Sequence, residues 1–319
     1  MSQITIGVDI AKKKFDVASL ISEKYKHKIF TNDELGYIAF VAWFLPLCGD
    51  VNPHICMEAT GSYSLPLADF LAKQHYAVSV VNPAKIHAFA KSELSRAKTD
   101  KADAKLIARY ALTIAPPLWK PIPTNIRELQ ALVRRVEHLL EMIQMERNRQ
   151  GTADLIITDS INTVLGTLEA ELKATRKTIH EHINNDPDLK KRGDLINSIP
   201  GIGNATTAYL LIAMSEHHQF KSAKQIVAFA GLAPALQESG ESRKNTHIDK
   251  NGDSALRKAL YLPALVAWRH NPLIHTFCER LKANGKNGKV IVCAAMRKLI
   301  HLAFGVIKSG QPFDPNYAI

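Results

Sequence analysis

Cysteine is scarce in this chain, and none of its four cysteines, Cys48, Cys56, Cys278 and Cys293, pairs in CxxC spacing. Neither a zinc knuckle nor a disulfide framework is predicted, and a reducing cytoplasm suits such a sequence. Thirteen histidines include His217-His218, but no HExxH or similar ligand pattern occurs. No GxSxG elbow is present, so hydrolase chemistry is not indicated. The opening MSQITIGVDI runs straight into a strand without a signal-peptide layout. The longest apolar stretch, AFVAWFLPLC at 39–48, is short for a membrane span and holds Pro46. Acidic residues are also in deficit, 30 against 41 Lys and Arg, for a net charge of +11. Residues 241–319 carry 13 basic and 5 acidic residues, so +8 of that excess sits in the last quarter. A basic end on a soluble protein favours a polyanion, with nucleic acid the default partner.

Strands and helices alternate in the first part of the chain. ITIGVDI (4–10), FDVASLI (15–21) and YKHKIFT (25–31) read as three successive strands. Thr31-Asn32-Asp33-Glu34 reads as a capping box opening a helix to about Leu47. HICMEA (54–59) and AVSVVN (77–82) are further strands, each followed by a helix, at 62–73 and 83–94. The order βββαβαβα predicts antiparallel strands first, then parallel strands joined by helices.

That order gives two acids prominent places. Asp9 falls in or at the end of the first strand, where a buried charge is costly unless paired or metal-bound. Glu58 ends the fourth strand, at the sheet margin where ligands bind in open sheets. Further on, SRAKTDKADAKLIARY (95–110) carries Asp100 and Asp103 three apart behind Thr99, a fair N-cap. Residues i and i+3 share a helix face, so both carboxylates point the same way near the helix start. Alone they would complement the helix dipole and pair with Lys101 and Lys105. With Asp9 and Glu58 they form a four-carboxylate set whose mutual repulsion calls for a divalent cation. Hard oxygen ligands select Mg²⁺ or Mn²⁺.

Beyond the proline-rich WKPIPTN (119–125) the pattern turns helical. Leu129, Leu132, Val136, Leu139 and Ile143 step by three and four, and Ile161, Leu165, Leu168, Leu172, Ile179 and Ile183 repeat the rhythm. An antiparallel hairpin or coiled coil is predicted, its seam shared with a second subunit. LINSIPGIGNATTAYLLIAM then reads as a helix-hairpin-helix, whose turn glycines let backbone N–H groups approach a phosphate. A polar loop holding Ser239-Gly240 leads into a last helical region.

The pieces IGVDIAKKKFDVA, CMEATGSY, VNPAKIHAFAKSE, KTDKADA, SIPGIGNATTA, FAGLAPALQESG, KNGDSALRKALY and NGKVIVCAAMRKLI occur in that order. Together they resemble the insertion-sequence one-hundred-and-ten family of transposases over nearly the whole chain. The resemblance implies an α/β plus α architecture. A RuvC-like (RNase H fold) mixed sheet with helices spans 1–118, a helical coiled-coil hairpin 119–188, and a mainly helical transposase domain with the helix-hairpin-helix and serine loop 189–319. It implies that Asp9, Glu58, Asp100 and Asp103 are a DEDD tetrad holding Mg²⁺ or Mn²⁺, and that Ser239 in QESG is the nucleophile. It further implies donor and target DNA, a structured non-coding guide RNA (the bridge RNA), and dimers that assemble into tetramers with composite sites. A bacterial cytoplasmic location at the nucleoid, with no membrane, follows. Arg243, Lys244, Lys250, Arg257 and Lys258 are the candidates for holding nucleic-acid backbones.

Three rivals make different demands. A Holliday-junction resolvase or RNase H-type nuclease would use the same tetrad with water as nucleophile. An actin-like sugar kinase or ATPase shares the IGVDI strand, but its glycine-rich second phosphate and adenosine loops are not visible. A non-catalytic binding protein would use only the hairpin and the basic end.

Overall fold

The computed structural model describes residues 4–61, 63–93, 99–152, 154–215, 218–235, 238–239, 242–243, 247–248 and 252–316. They form two compact units, Met1–Pro121 and Ile122–Ile319. The first is a five-stranded mixed sheet with helices on both faces, consistent with an RNase H-like domain. Its strands are β1 (Thr5–Ile10), β2 (Lys14–Ile21), β3 (Lys24–Thr31), β4 (His54–Glu58) and β5 (Ala77–Val81), in the order β3-β2-β1-β4-β5. The β1–β2 and β2–β3 pairs are antiparallel, while β1–β4 and β4–β5 are parallel, as the succession of elements predicts.

Successive side chains on a strand point to opposite faces, and this alternation organises the unit. On one face, Ile6 and Val8 of β1, Phe15 and Val17 of β2, and Ile55 and Met57 of β4 pack on α1 (Glu34–Cys48) and α2 (Leu65–Lys73). On the other, Cys56 and Val81 meet α3 (Pro83–Ser92) and α4 (Asp100–Ile114) through Ile86, Ile107 and Ala111. Thr5, Gly7 and Asp9 share this second face. Thr5 Oγ1 donates to the Ala108 carbonyl, 3.0 Å away, which ties β1 to α4. At Gly7 a Cβ would stand 2.1 Å from the Ala104 carbonyl oxygen and 2.2 Å from the Ala108 nitrogen. Only a residue without a side chain lets α4 lie directly on β1. Gly7→Val is therefore expected to destabilise this unit by on the order of 3 kcal/mol or more, measured by chemical denaturation. A loss below about 1 kcal/mol would show that α4 can move aside at little cost.

The start of α1 differs from the capping box read in the sequence. Asp33, not Thr31, is the N-cap, accepting from the Gly36 N–H at 2.8 Å. Thr31 ends β3, and its hydroxyl donates instead to Asp33 Oδ1 at 2.9 Å. Thr31 is held in the β3 ladder opposite Lys14, so the cap falls two residues on.

In the second unit, α5 (Thr124–Gln150) and α6 (Leu155–Asn185) pack as a helical hairpin. Leu129, Val136, Leu139 and Ile143 face Ile161, Leu165, Leu172, Ile179 and Ile183 in one buried cluster. Val133 is buried where the three-four stepping pointed to Leu132, which is partly buried beside it. The same core continues into α7 (Pro187–Asn197), α8 (Asn204–Ala213), α9 (Ala223–Phe229), α10 (Ser254–His270), α11 (Pro272–Ala283) and α12 (Gly288–Ser309). Among the described residues α12 alone is long and apolar enough to cross a membrane. It also carries Lys289, Arg297, Lys298 and Lys308, and buries Ile291, Val292, Ala295, Met296, Leu299 and Ile300 within this core.

Candidate active site

Helix α4 begins as its sequence predicts. Thr99 is extended and its hydroxyl accepts from the Ala102 N–H at 3.2 Å, which leaves Asp100 and Asp103 in the first turn. The helix lies against β1 and β2 on the face that carries Asp9. Glu58, at the end of β4, shares the parity of Cys56 and so belongs to this face as well.

Electrostatics report the convergence. Asp9 is partly buried, and its carboxyl is pushed up to about 6 by that burial first, then by Asp103, Asp100, Glu58 and Asp16. The Glu58 carboxyl is also raised, by burial and by Asp103, with His87 of α3 opposing the shift. The structure therefore brings all four sequence-predicted acids into one electrostatic neighbourhood. Among the described residues, however, no three His, Cys, Asp or Glu side chains are gathered closely enough to hold a metal ion as they stand. The donor set is carboxylate oxygen throughout, which in kind fits Mg²⁺ or Mn²⁺.

A fifth acid was not singled out in the sequence. Asp16 of β2 stands directly opposite Asp9 in the ladder and is 3% exposed. His27 Nε2 lies 2.9 Å from Asp16 Oδ1, and the Lys14 ammonium donates to Oδ2 at 3.1 Å. The same ammonium donates to Asp100 Oδ2 at 2.7 Å and holds that carboxyl below its usual range. In KFDVA the Asp looks like an ordinary strand residue. Only the pairing of β1 with β2 makes it a neighbour of Asp9, although the i, i+2 spacing of Lys14 and Asp16 already places both on one face.

The serine loop belongs to the second unit. Short strands β6 (Pro234–Ala235) and β9 (His247–Ile248) pair, as do β7 (Glu238–Ser239) and β8 (Ser242–Arg243). Ser239 pairs with Ser242 on the neighbouring strand. The base of this ribbon is fastened to the helical core. The Arg257 guanidinium donates to the Ala230 carbonyl at 2.8 Å, Arg297 Nε to the Leu232 carbonyl, and the Asp253 N–H to the Phe229 carbonyl at 2.7 Å.

Of the basic candidates, Arg257 thus anchors the ribbon, while Arg243 lies on β8. Lys258 lines a cavity of about 860 Å³ with Arg176, Asn204, Thr206 and Tyr209. Lys244 and Lys250 lie outside the described residues. In the PGIG turn the two glycines differ. Gly201 has φ +103° and packs on Ala267, where a Cβ would come within 2.7 Å of the alanine Cβ. Gly203 caps α8 with no side-chain hydrogen bond, and its α-carbon faces open space. One glycine serves packing; the other leaves the leading N–H groups of α8 approachable.

Residues 6–152 match a DEDD transposase model, and residues 193–279 match the model described as "Transposase IS116/IS110/IS902 family". The chain is 37% identical over 317 residues to the pilin gene-inverting protein of Moraxella bovis, covering 98% of each. It is 25% identical over 298 residues to the transposase for insertion sequence element IS1111A of Coxiella burnetii, covering 83% of this chain and 78% of the relative. An insertion element IS110 protein of Streptomyces coelicolor is 27% identical over 164 residues, 51% of this chain and 39% of its own. An acid-bearing mixed sheet, a helical second unit and full-length likeness to a DNA-inverting protein lead to one assignment: the chain belongs to the IS110 family of transposases, which carry out DNA strand transfer.

Proposed function

We propose that this chain is the recombinase of an insertion sequence, cutting and rejoining DNA through a covalent serine link. The observation that carries the reading is that Asp9 and Glu58, on one face of the sheet, are both raised by burial and by Asp103 at the start of α4, and Asp9 by Asp100 and Glu58 as well. These four acids would hold Mg²⁺ or Mn²⁺, which when bound supplies Lewis-acid stabilisation to the attacking and leaving oxygens. Ser239 Oγ attacks the scissile phosphorus, a serine–phosphate ester forms at the 5′ side, and the departing 3′ oxygen takes up a proton. The exchanged strand's 3′-hydroxyl then displaces the serine, restoring the phosphodiester and the free serine hydroxyl. A serine–phosphate ester keeps the bond energy of the cut strand, so that rejoining needs no nucleotide cofactor.

Donor and target DNA would be matched by a structured guide RNA, so that the protein holds backbones while base pairing reads sequence. The net charge of +11 supports that division of labour. Gly203 and the start of α8 suit a backbone phosphate, and Arg243, Lys244, Lys250 and Lys258 would add salt-dependent affinity. The work would be done in the cytoplasm, at the nucleoid. Inversion is a second outcome of the same exchange, favoured by the name of the Moraxella relative. Insertion and inversion differ in the arrangement of the two sites, not in the steps.

Two duplexes call for several copies, so a dimer that forms a tetramer on DNA, with the tetrad and Ser239 from different subunits, completes the reading. Leu155 and Ile156 at the tip of the helical hairpin are 93% and 90% exposed, which supports burial against a second copy. Light scattering is expected to give at least twice the mass of one chain, and Leu155→Glu/Ile156→Glu to lower it. A single-chain mass for the wild type, with and without DNA, would remove the assembly. The chemistry is tested by incubating protein, guide RNA, DNA and Mg²⁺, then denaturing. A protein-linked 5′ end is expected. Cleavage without any link would favour water as nucleophile, as in a junction resolvase.

A further inference from the structure

Lys14 stands in an unusual position beside the acid cluster. Its ammonium is 3.1 Å from Asp16 Oδ2 and 2.7 Å from Asp100 Oδ2, so one cation joins β2 to the start of α4. An exposed Lys–Asp pair ordinarily contributes little, because two flexible side chains must be held in one geometry. Here one end is fixed. The Asp16 side chain is 4% exposed, its other oxygen faces His27, and it cannot turn away from Lys14 without becoming a buried charge with one partner fewer. The backbone is fixed as well, since the Lys14 carbonyl accepts from the Ala11 N–H at 2.9 Å across the β1–β2 turn.

We propose that Lys14 is the resident counter-ion of the acid cluster, held by Asp16, which His27 in turn braces, and that a divalent cation binds by displacing its ammonium from Asp100. Asp100 is turned to Lys14 in this structure. A dication arriving beside Asp9, Asp103 and Glu58 gains Asp100 only when that ion pair opens. The ammonium, still held by Asp16, would then be free to face a phosphate oxygen. This rests on the reading that the four acids hold a cation.

The test uses the full-length protein and Mn²⁺ alone as probe, with binding followed by the electron paramagnetic resonance of free Mn²⁺ and by calorimetry. Lys14→Met is expected to bind Mn²⁺ about tenfold more tightly than wild type, because a like charge is removed from the site. Lys14→Arg keeps the charge and is expected to stay within about twofold of wild type. DNA cleavage by Lys14→Met at saturating Mn²⁺ is expected to fall, since the substitution removes the ammonium that would face the phosphate. Equal or weaker Mn²⁺ binding by Lys14→Met, with the site still abolished by Asp9→Asn, overturns this inference alone. A wild type with no Asp9-dependent Mn²⁺ binding overturns the acid-cluster reading and this inference together.

Discussion

A Ser239→Ala protein is expected to bind DNA and guide RNA as the wild type does and to leave no protein–DNA link after denaturation. Strand exchange should fall by at least about a thousandfold, since removing a nucleophile removes every later step that depends on the covalent intermediate. The substitution deletes one oxygen from a short β-ribbon whose base is held by Arg257, Arg297 and Asp253. Its effect on stability should therefore be small, and a melting curve beside the gel separates lost chemistry from lost structure. Persistence of the adduct in Ser239→Ala would transfer the nucleophile's role to another residue.

Asp9→Asn should act in two opposite directions. Strand cleavage is expected to drop on the order of a thousandfold, the scale seen when a principal electrostatic contributor to an active site is removed. Meanwhile the protein in chelating buffer at neutral pH should melt a few degrees higher. A raised carboxyl is one whose ionised form is less stable in the folded chain than in the unfolded chain, so neutralising it relieves first the cost of burying the charge and then repulsion from Asp103, Asp100 and Glu58. Partial exposure screens this term, leaving about 1 kcal/mol.

The sign with pH follows. The folded chain holds the Asp9 proton up to about pH 6, whereas the unfolded chain releases it near 3.8. Between those values the folded state binds more protons, so the Asp9 contribution to stability is lost as pH rises through the window and is absent above it. Asp33 and Asp186 run the other way. Hydrogen bonds, above all from the backbone N–H groups of Gly36 and Leu189, hold their carboxyls down, so their stabilisation is present at neutral pH and lost only in more acid solution. Thermal melts of wild type and Asp9→Asn from pH 4 to 8 should diverge as pH rises. Parallel curves would mean that the acids do not feel one another.

Much of this molecule was legible in local pattern. Alternating residues marked the strands, three-four stepping marked α5 and α6, and Thr99 with Asp100 and Asp103 marked the start of α4, because dihedral preference and side-chain period act over a few residues. Leu132 was misjudged for Val133 because the side of a long helix that is buried depends on what α6 and α8 bring against it. The four acids could be named from their strand-end and helix-start positions together with family likeness, but not their spacing.

What the sequence by itself determined is the set of elements and the acids they carry. Tertiary structure alone decided that Gly7 must lack a side chain so that α4 can press on β1, and that Asp16 stands across from Asp9. It likewise decided that Lys14 reaches Asp100, 86 residues away in the chain. Register and close approach join residues distant in sequence, and such contacts are settled by which surfaces fit and which charges must be answered, not by the preferences of any short segment.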